Sequence, residues 1–142
     1  MRIYEFQDLV TELLKAMDYH IAWIAPPGKD RGYINLIAYA DPLGVSQPRI
    51  KLHILHSGQP AMMEGFKSFL TVLGQGDAGL FVSTGGFTSS VREEAQAQPD
   101  SRIVLMDLEN FFDLWVEFYE KLSHAARQRL PLKPVYFLSF VA

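Results

Sequence analysis

The chain has 142 residues, 49% hydrophobic and 20% charged, with a formal net charge of -3 and no cysteine. That size and composition predict one domain, residues 1 to 142, with a substantial core; they exclude a disulfide framework and a thiolate metal site, and no apolar run approaches the ~20 residues of a bilayer span. An acidic balance is not a nucleic-acid-binding signature, but residues 26 to 67 hold five cations against three acids, a local surplus of two that would favour phosphate.

The opening "MRIYEFQDLV" carries an acid early and no long apolar stretch, so no signal peptide is expected. The absence of cysteine fits a reducing cytoplasm, which is the expected location. Phe6, Leu9, Val10, Leu13, Leu14 and Met17 recur at three- and four-residue spacing, which predicts a helix over 4–17. "YHIAWIA" (19–25) reads as a strand ended by Pro26, Pro27 and Gly28. "YINLIAYA" (33–40) is a second strand, closed by the turn "DPLG". A third covers 48–56, and short connections predict a meander of the three. On it Ile50, Leu52 and Ile54 share one face, while Lys51, His53 and Leu55 share the other.

Residues 60–73 are expected to be helical, with Phe66, Phe69, Leu70 and Leu73 on one stripe. "AGLFVS" (78–83) and "RIVLM" (102–106) read as strands buried on both faces. Between them, Ser90 and Glu93 have the spacing of a capping box. An amphipathic helix over 107–122 turns Leu108, Phe111, Phe112, Trp115, Phe118, Tyr119 and Leu122 inward. "PVYFLSFV" is the last expected strand.

Two motifs fail on context. Gly74, Gly76 and Gly79 match G-x-G-x-x-G, but a helix precedes and a strand follows, the reverse of a dinucleotide site. "GKDRG" has a lysine but lacks the glycine spacing and the Ser/Thr of a phosphate loop. His53 and His56 are three apart on a strand, point to opposite faces and do not share a metal. In "STGGFTSSVREE", Gly85 and Gly86 precede a helix start, where free backbone amides would suit a phosphate; a plain structural turn is the alternative.

Taken together, the Tyr4-x-Phe6 start, "PPGKDRGYINLIAYADPLG", "PRIKLHILH", "GLFVSTGGFT" and "LPLKPVYFL" resemble the catalytic domain of Mrr-like type IV restriction endonucleases, from Tyr4 to about Leu138. These belong to the PD-(D/E)xK nuclease superfamily. The resemblance implies a three-layer α/β/α sandwich with a central mixed sheet, and a DNA restriction or defence context in bacteria. It also implies Mg²⁺-assisted phosphodiester hydrolysis, with carboxylates holding the metal and a lysine aiding the attacking water.

The family's site consists of a glutamate after the helix phenylalanine, an aspartate closing G-x-D-x-G-x-x-D, and a Q-x-K pair. Here those positions carry Gln7, Asn35, His53 and Leu55. Asp30, the first aspartate of the run, remains. Losing one electrostatic stabiliser of a transition state costs ~3 kcal/mol, on the order of hundredfold in rate. The resemblance therefore implies a silent nuclease fold, with no metal and no cofactor expected unless Mg²⁺ serves a residual enzyme. Glu64 and Lys67 are the candidates for relocated site groups, whereas Lys51 lies ~13 Å from Leu55 along the strand. Expected phosphate contacts are Lys29, Arg31, Lys51 and the Gly85–Gly86 turn, in weak and salt-sensitive DNA binding. No membrane partner is expected. A protein-interaction module, a homodimer or an attached DNA-reading domain stand as alternatives.

Overall fold

The stripe from Phe6 folds as α1 (Ile3–Ala16), with Phe6, Val10, Leu13 and Leu14 buried on one face. The computed structural model describes residues 2–24, 33–43, 45, 49–98, 102–134 and 138. β1 (His20–Ile24), β2 (Tyr33–Tyr39) and β3 (Ile50–Leu55) follow and pair antiparallel in sequence order. α2 (Met63–Thr71) then leads to β4 (Ala78–Ser83), and α3 (Ser89–Ala97) to β5 (Ile103–Asp107). A crossover helix allows the next strand to run parallel to the last. The five-stranded sheet is therefore mixed, in the order β1-β2-β3-β4-β5. After β5 come α4 (Leu108–Glu117), a 3-10 turn (Tyr119–Lys121) and α5 (His124–Arg129).

Strand alternation divides the interior in two. Leu36, Leu52, Ile54, Leu80, Val82 and Met106 pack with α1, α4 and α5. Phe81 and Leu105 pack on the other side with Phe66 and Phe69 of α2 and Val91 and Ala95 of α3. Helices cover both faces, which makes the three-layer α/β/α sandwich that the sequence implies.

Several local expectations need correction. Among the described residues β5 is an edge strand, and it is not buried on both faces, since Val104 is 55% exposed. Phe112 is exposed rather than inward, and the helix expected to reach 122 ends at Glu117 and tightens into the 3-10 turn. Thr88, not Ser90, caps α3, its hydroxyl accepting from the Val91 amide at 3.3 Å. α5 was not expected, because six residues are too few to set a period. Ser123 starts it by accepting from the Ala126 amide at 3.1 Å, and the same hydroxyl donates to Glu12 of α1. The strand expected over 134–141 falls mostly outside the described residues.

Candidate functional site

Register brings the site together. Asn35 of β2 pairs with His53 of β3, and His53 pairs with Phe81 of β4. The three side chains form a row across the sheet on the face covered by α2. Leu55 stands one step along β3 on the same face. α2 adds Glu64, Gly65, Ser68 and Phe69 above the row, enclosing a cleft of about 490 Å³. Asn35, His53 and Leu55, which the sequence singles out from two separate motifs, thus line one cavity. Gln7 does not join them. It is buried on α1, whose stripe packs against the other face of the sheet.

Asn35 and His53 satisfy each other. The Asn35 amide oxygen lies 2.8 Å from His53 Nδ1. The ring packs on Phe81 with centroids 4.8 Å apart, and on Phe69 at 6.0 Å. Burial among these groups lowers the His53 pKa from 6.5 to about 4. The imidazole is therefore neutral at pH 7, with Nδ1 donating to the amide oxygen. Leu55 adds neither a charge nor a hydrogen bond. Glu64 is at the rim and solvent-exposed, so one of the two relocation candidates does reach the cleft. Lys67 is exposed on α2 and does not line it.

The other end of β3 is ionic. Asp77, 2% exposed, accepts from Arg49 Nε at 3.1 Å and from the Gly74 amide at 2.7 Å, and pairs with Lys51 Nζ at 3.1 Å. Lys51 also donates to the Val72 carbonyl at 2.6 Å. Burial alone would raise the Asp77 pKa; the Gly74 amide, Lys51 and Arg49 outweigh it and hold the carboxylate below its usual range. Lys51, expected as a phosphate contact, is thus committed inside the protein. Sequence reasoning missed Asp77, since its partners lie 26 and 28 positions away and no spacing rule links them.

Gly85 and Gly86 serve the frame. A Cβ on Gly85 would collide with the Gln59 carbonyl oxygen, and Gly86 has φ +80. The amides of Thr84, Gly86 and Thr88 donate to Leu55, Ser83 and Ala61. The turn meets the chain at 57–61 through Thr88 and the Thr84 hydroxyl, and the Gly86 amide is taken by the Ser83 carbonyl. Lys29, Arg31 and Asp30 lie outside the described residues. His56 packs beside Phe6 on the opposite side from His53 and bonds Thr84, so the two histidines stay apart.

The donor set does not fit Mg²⁺. That ion takes hard oxygen ligands, chiefly carboxylates. Among the described residues the cleft offers an amide oxygen already engaged, a neutral imidazole, a leucine, a serine hydroxyl and a single acid. Among the described residues, no three His, Asp or Glu side chains converge as a metal site. Among them too, no helix is long and apolar enough to cross a membrane.

A family model described as Mrr_cat, restriction endonuclease, matches residues 1–115. No curated protein matches the chain. Among solved structures, the MspJI restriction endonuclease in complex with a 27-mer oligonucleotide is similar at 15% identity with a TM-score of 0.47. That match covers 83% of this chain and 32% of the other.

Proposed function

The chain belongs to the Mrr_cat restriction endonuclease family, and from that premise we propose that it is a nuclease-fold domain that has lost hydrolysis and meets DNA weakly in a restriction or defence role. The observation that carries this is the Asn35–His53 pair, bonded at 2.8 Å where the family needs a carboxylate and a glutamine. An amide matches a carboxylate in shape but brings no negative charge, and charge is most of what holds Mg²⁺. Leu55 in the lysine position removes the group that would orient water and offset developing charge. Contact with duplex DNA then rests on Lys29 and Arg31, led by the phosphate backbone and steeply salt-dependent. Base recognition would come from a further domain or subunit.

A second reading, a protein-interaction module in the same cytoplasmic setting, is favoured by Asp77, which engages both Arg49 and Lys51 as counter-charge. A salt titration of duplex affinity by fluorescence anisotropy separates the two. Binding at low ionic strength that falls as salt rises supports the first; no binding at any salt leaves the second. Supercoiled plasmid incubated with Mg²⁺ or Mn²⁺ should stay intact. Nicking that disappears in Glu64→Gln would show a relocated active site and sink the silent-nuclease proposal.

A further inference from the structure

The two edges of the sheet are finished differently. β1 carries a bulge between Ile21 and Trp23, where its register with β2 shifts, and a bulge is one way to spoil an edge for further pairing. β5 has no such guard. It pairs with β4 in unbroken register from Ile103 to Asp107, and its centre, Ile103 to Met106, holds neither lysine nor proline. Among the described residues no strand lies on its outer side. Both of its faces are open as well. A cavity of about 400 Å³ against α3 takes in Ile103 and Leu105, and one of about 340 Å³ between α1 and α4 takes in Val104 and Met106. Val104, which lines the second, is 55% exposed.

The same chain holds a segment that matches this edge. Residues 135–142, "VYFLSFVA", carry no charge and are apolar everywhere but at Ser139. Their β-branched and aromatic content is that of a strand, the last one that the sequence predicts. Leu138, the described residue of this run, is wholly exposed, and Leu132 before it is half-exposed. The chain leaves α5 beside α4, where Trp115 Nε1 donates to the Leu130 carbonyl at 2.9 Å, and the five residues from Leu130 to Pro134 can reach ~17 Å. We propose that residues 135–141 of a second copy add to the outer edge of β5 as a sixth strand, reciprocally, so that two copies close a dimer about a two-fold axis. Strand addition makes main-chain hydrogen bonds along an edge and sends alternate side chains to opposite faces. Those side chains would enter the two cavities that flank β5. Exchange of an identical segment leaves neither copy with an open β5 edge, so it closes instead of growing. Leu138 standing free of its own β5 favours the second copy as the source of the strand. The dimer uses neither the Asn35–His53 cleft nor the duplex contact, so it is independent of whether the domain meets DNA.

The chain has no cysteine, so disulfide trapping tests this directly. Val104→Cys is mixed with single cysteine variants scanned through 136–140, the mixture is oxidised, and the products are weighed without reductant. Cross-linked dimers at alternate scanned positions are expected, as for a strand lying along an edge. Double variants that cross-link within one chain only would put the segment on its own β5 and overturn the exchange. Val104→Cys cross-linking to itself would show β5 pairing with β5, and no cross-link at any position would leave the edge bare; either outcome overturns it too. Val104→Lys is the second variant, since an edge lysine opposes strand addition and a half-exposed side chain accommodates it without unfolding the domain. Light scattering should find a dimer for the unaltered chain and dimerisation weakened at least ~tenfold by Val104→Lys, with the far-UV circular dichroism unchanged. A chain that stays monomeric up to ~1 mM, or a dimer that Val104→Lys leaves intact, would sink the proposal.

Discussion

Lys51 and His53 stand two residues apart on the same face of β3, yet their surroundings are opposite. Lys51 keeps its charge and spends it on Asp77, which is buried and also holds Arg49. His53 is kept neutral by burial against Phe69 and Phe81. One end of the strand is an ionic clamp that ties β3 to the start of β4; the other is an uncharged cleft. The difference separates two uses of polarity. Where charge fastens the frame it is matched by counter-charge, whereas the row of Asn35, His53 and Leu55 carries none.

The clamp carries the largest expected effect. Asp77→Ala removes the shared partner of two cations and the acceptor of the Gly74 amide. Breaking such a cluster from one side should cost about 3 kcal/mol, seen as a lower midpoint in urea unfolding. Loss of less than ~1 kcal/mol, the value of an ordinary surface pair, would break the contrast by making the clamp ornamental. The Asp77 pKa is depressed, so its stabilisation is whole above the ordinary value of 3.8 and is lost only as pH falls below it.

His53 has a window of the same sign at higher pH. The unfolded imidazole takes up a proton as pH falls through 6.5, while the folded one does so only near 4. Between these values the unfolded state binds more protons, so stability declines as pH drops from 6.5 to 4. The decline should be on the order of 2 kcal/mol after allowing for partial exposure. Urea unfolding at the two ends of that window checks it, and His53→Gln should flatten the slope while leaving the Asp77 transition below it. Asn35→Asp tests the same row from its other member. A carboxylate at the 2.8 Å contact should raise the His53 midpoint by ~1–2 units in an NMR titration. A midpoint that stays near 4 would mean the pair is not held as described.

Much of this was legible in the sequence, for physical reasons that differ by region. Period-two alternation in "IKLHIL" assigns the two faces of β3, because side-chain direction on a strand is fixed by the backbone. The family motifs then bring Asn35, His53 and Leu55 to one place before any coordinates are known. Gln7 resists the same treatment, since the helix carrying it packs on the other face and motif order does not specify that. Asp77 was invisible for another reason. It sits in a glycine-rich connection that the sequence marks only as a failed dinucleotide motif, and its value comes from long-range partners. Val104 was misjudged because an apolar strand does not declare whether it has one neighbour or two.

The smallest expected effect probes the row next to the cleft, where Leu55 pairs with Ser83 and Ser83 with Asp107. Ser83 is fully buried, and its hydroxyl has no partner among the described residues. A buried unpaired hydroxyl is itself a burden, so Ser83→Ala should leave stability within ~0.5 kcal/mol or raise it slightly. A loss above ~1 kcal/mol would reveal a hidden partner for the hydroxyl and make this end of the strand polar after all. A double-mutant cycle sharpens the point. If the hydroxyl is orphaned because Leu55 stands where the family has lysine, Leu55→Lys should be better tolerated with Ser83 present than in the Ser83→Ala background. The coupling should approach ~1 kcal/mol, as for contacting residues that gain a hydrogen bond. No coupling would detach the buried serine from the lost lysine and leave the hydroxyl as a local packing accident.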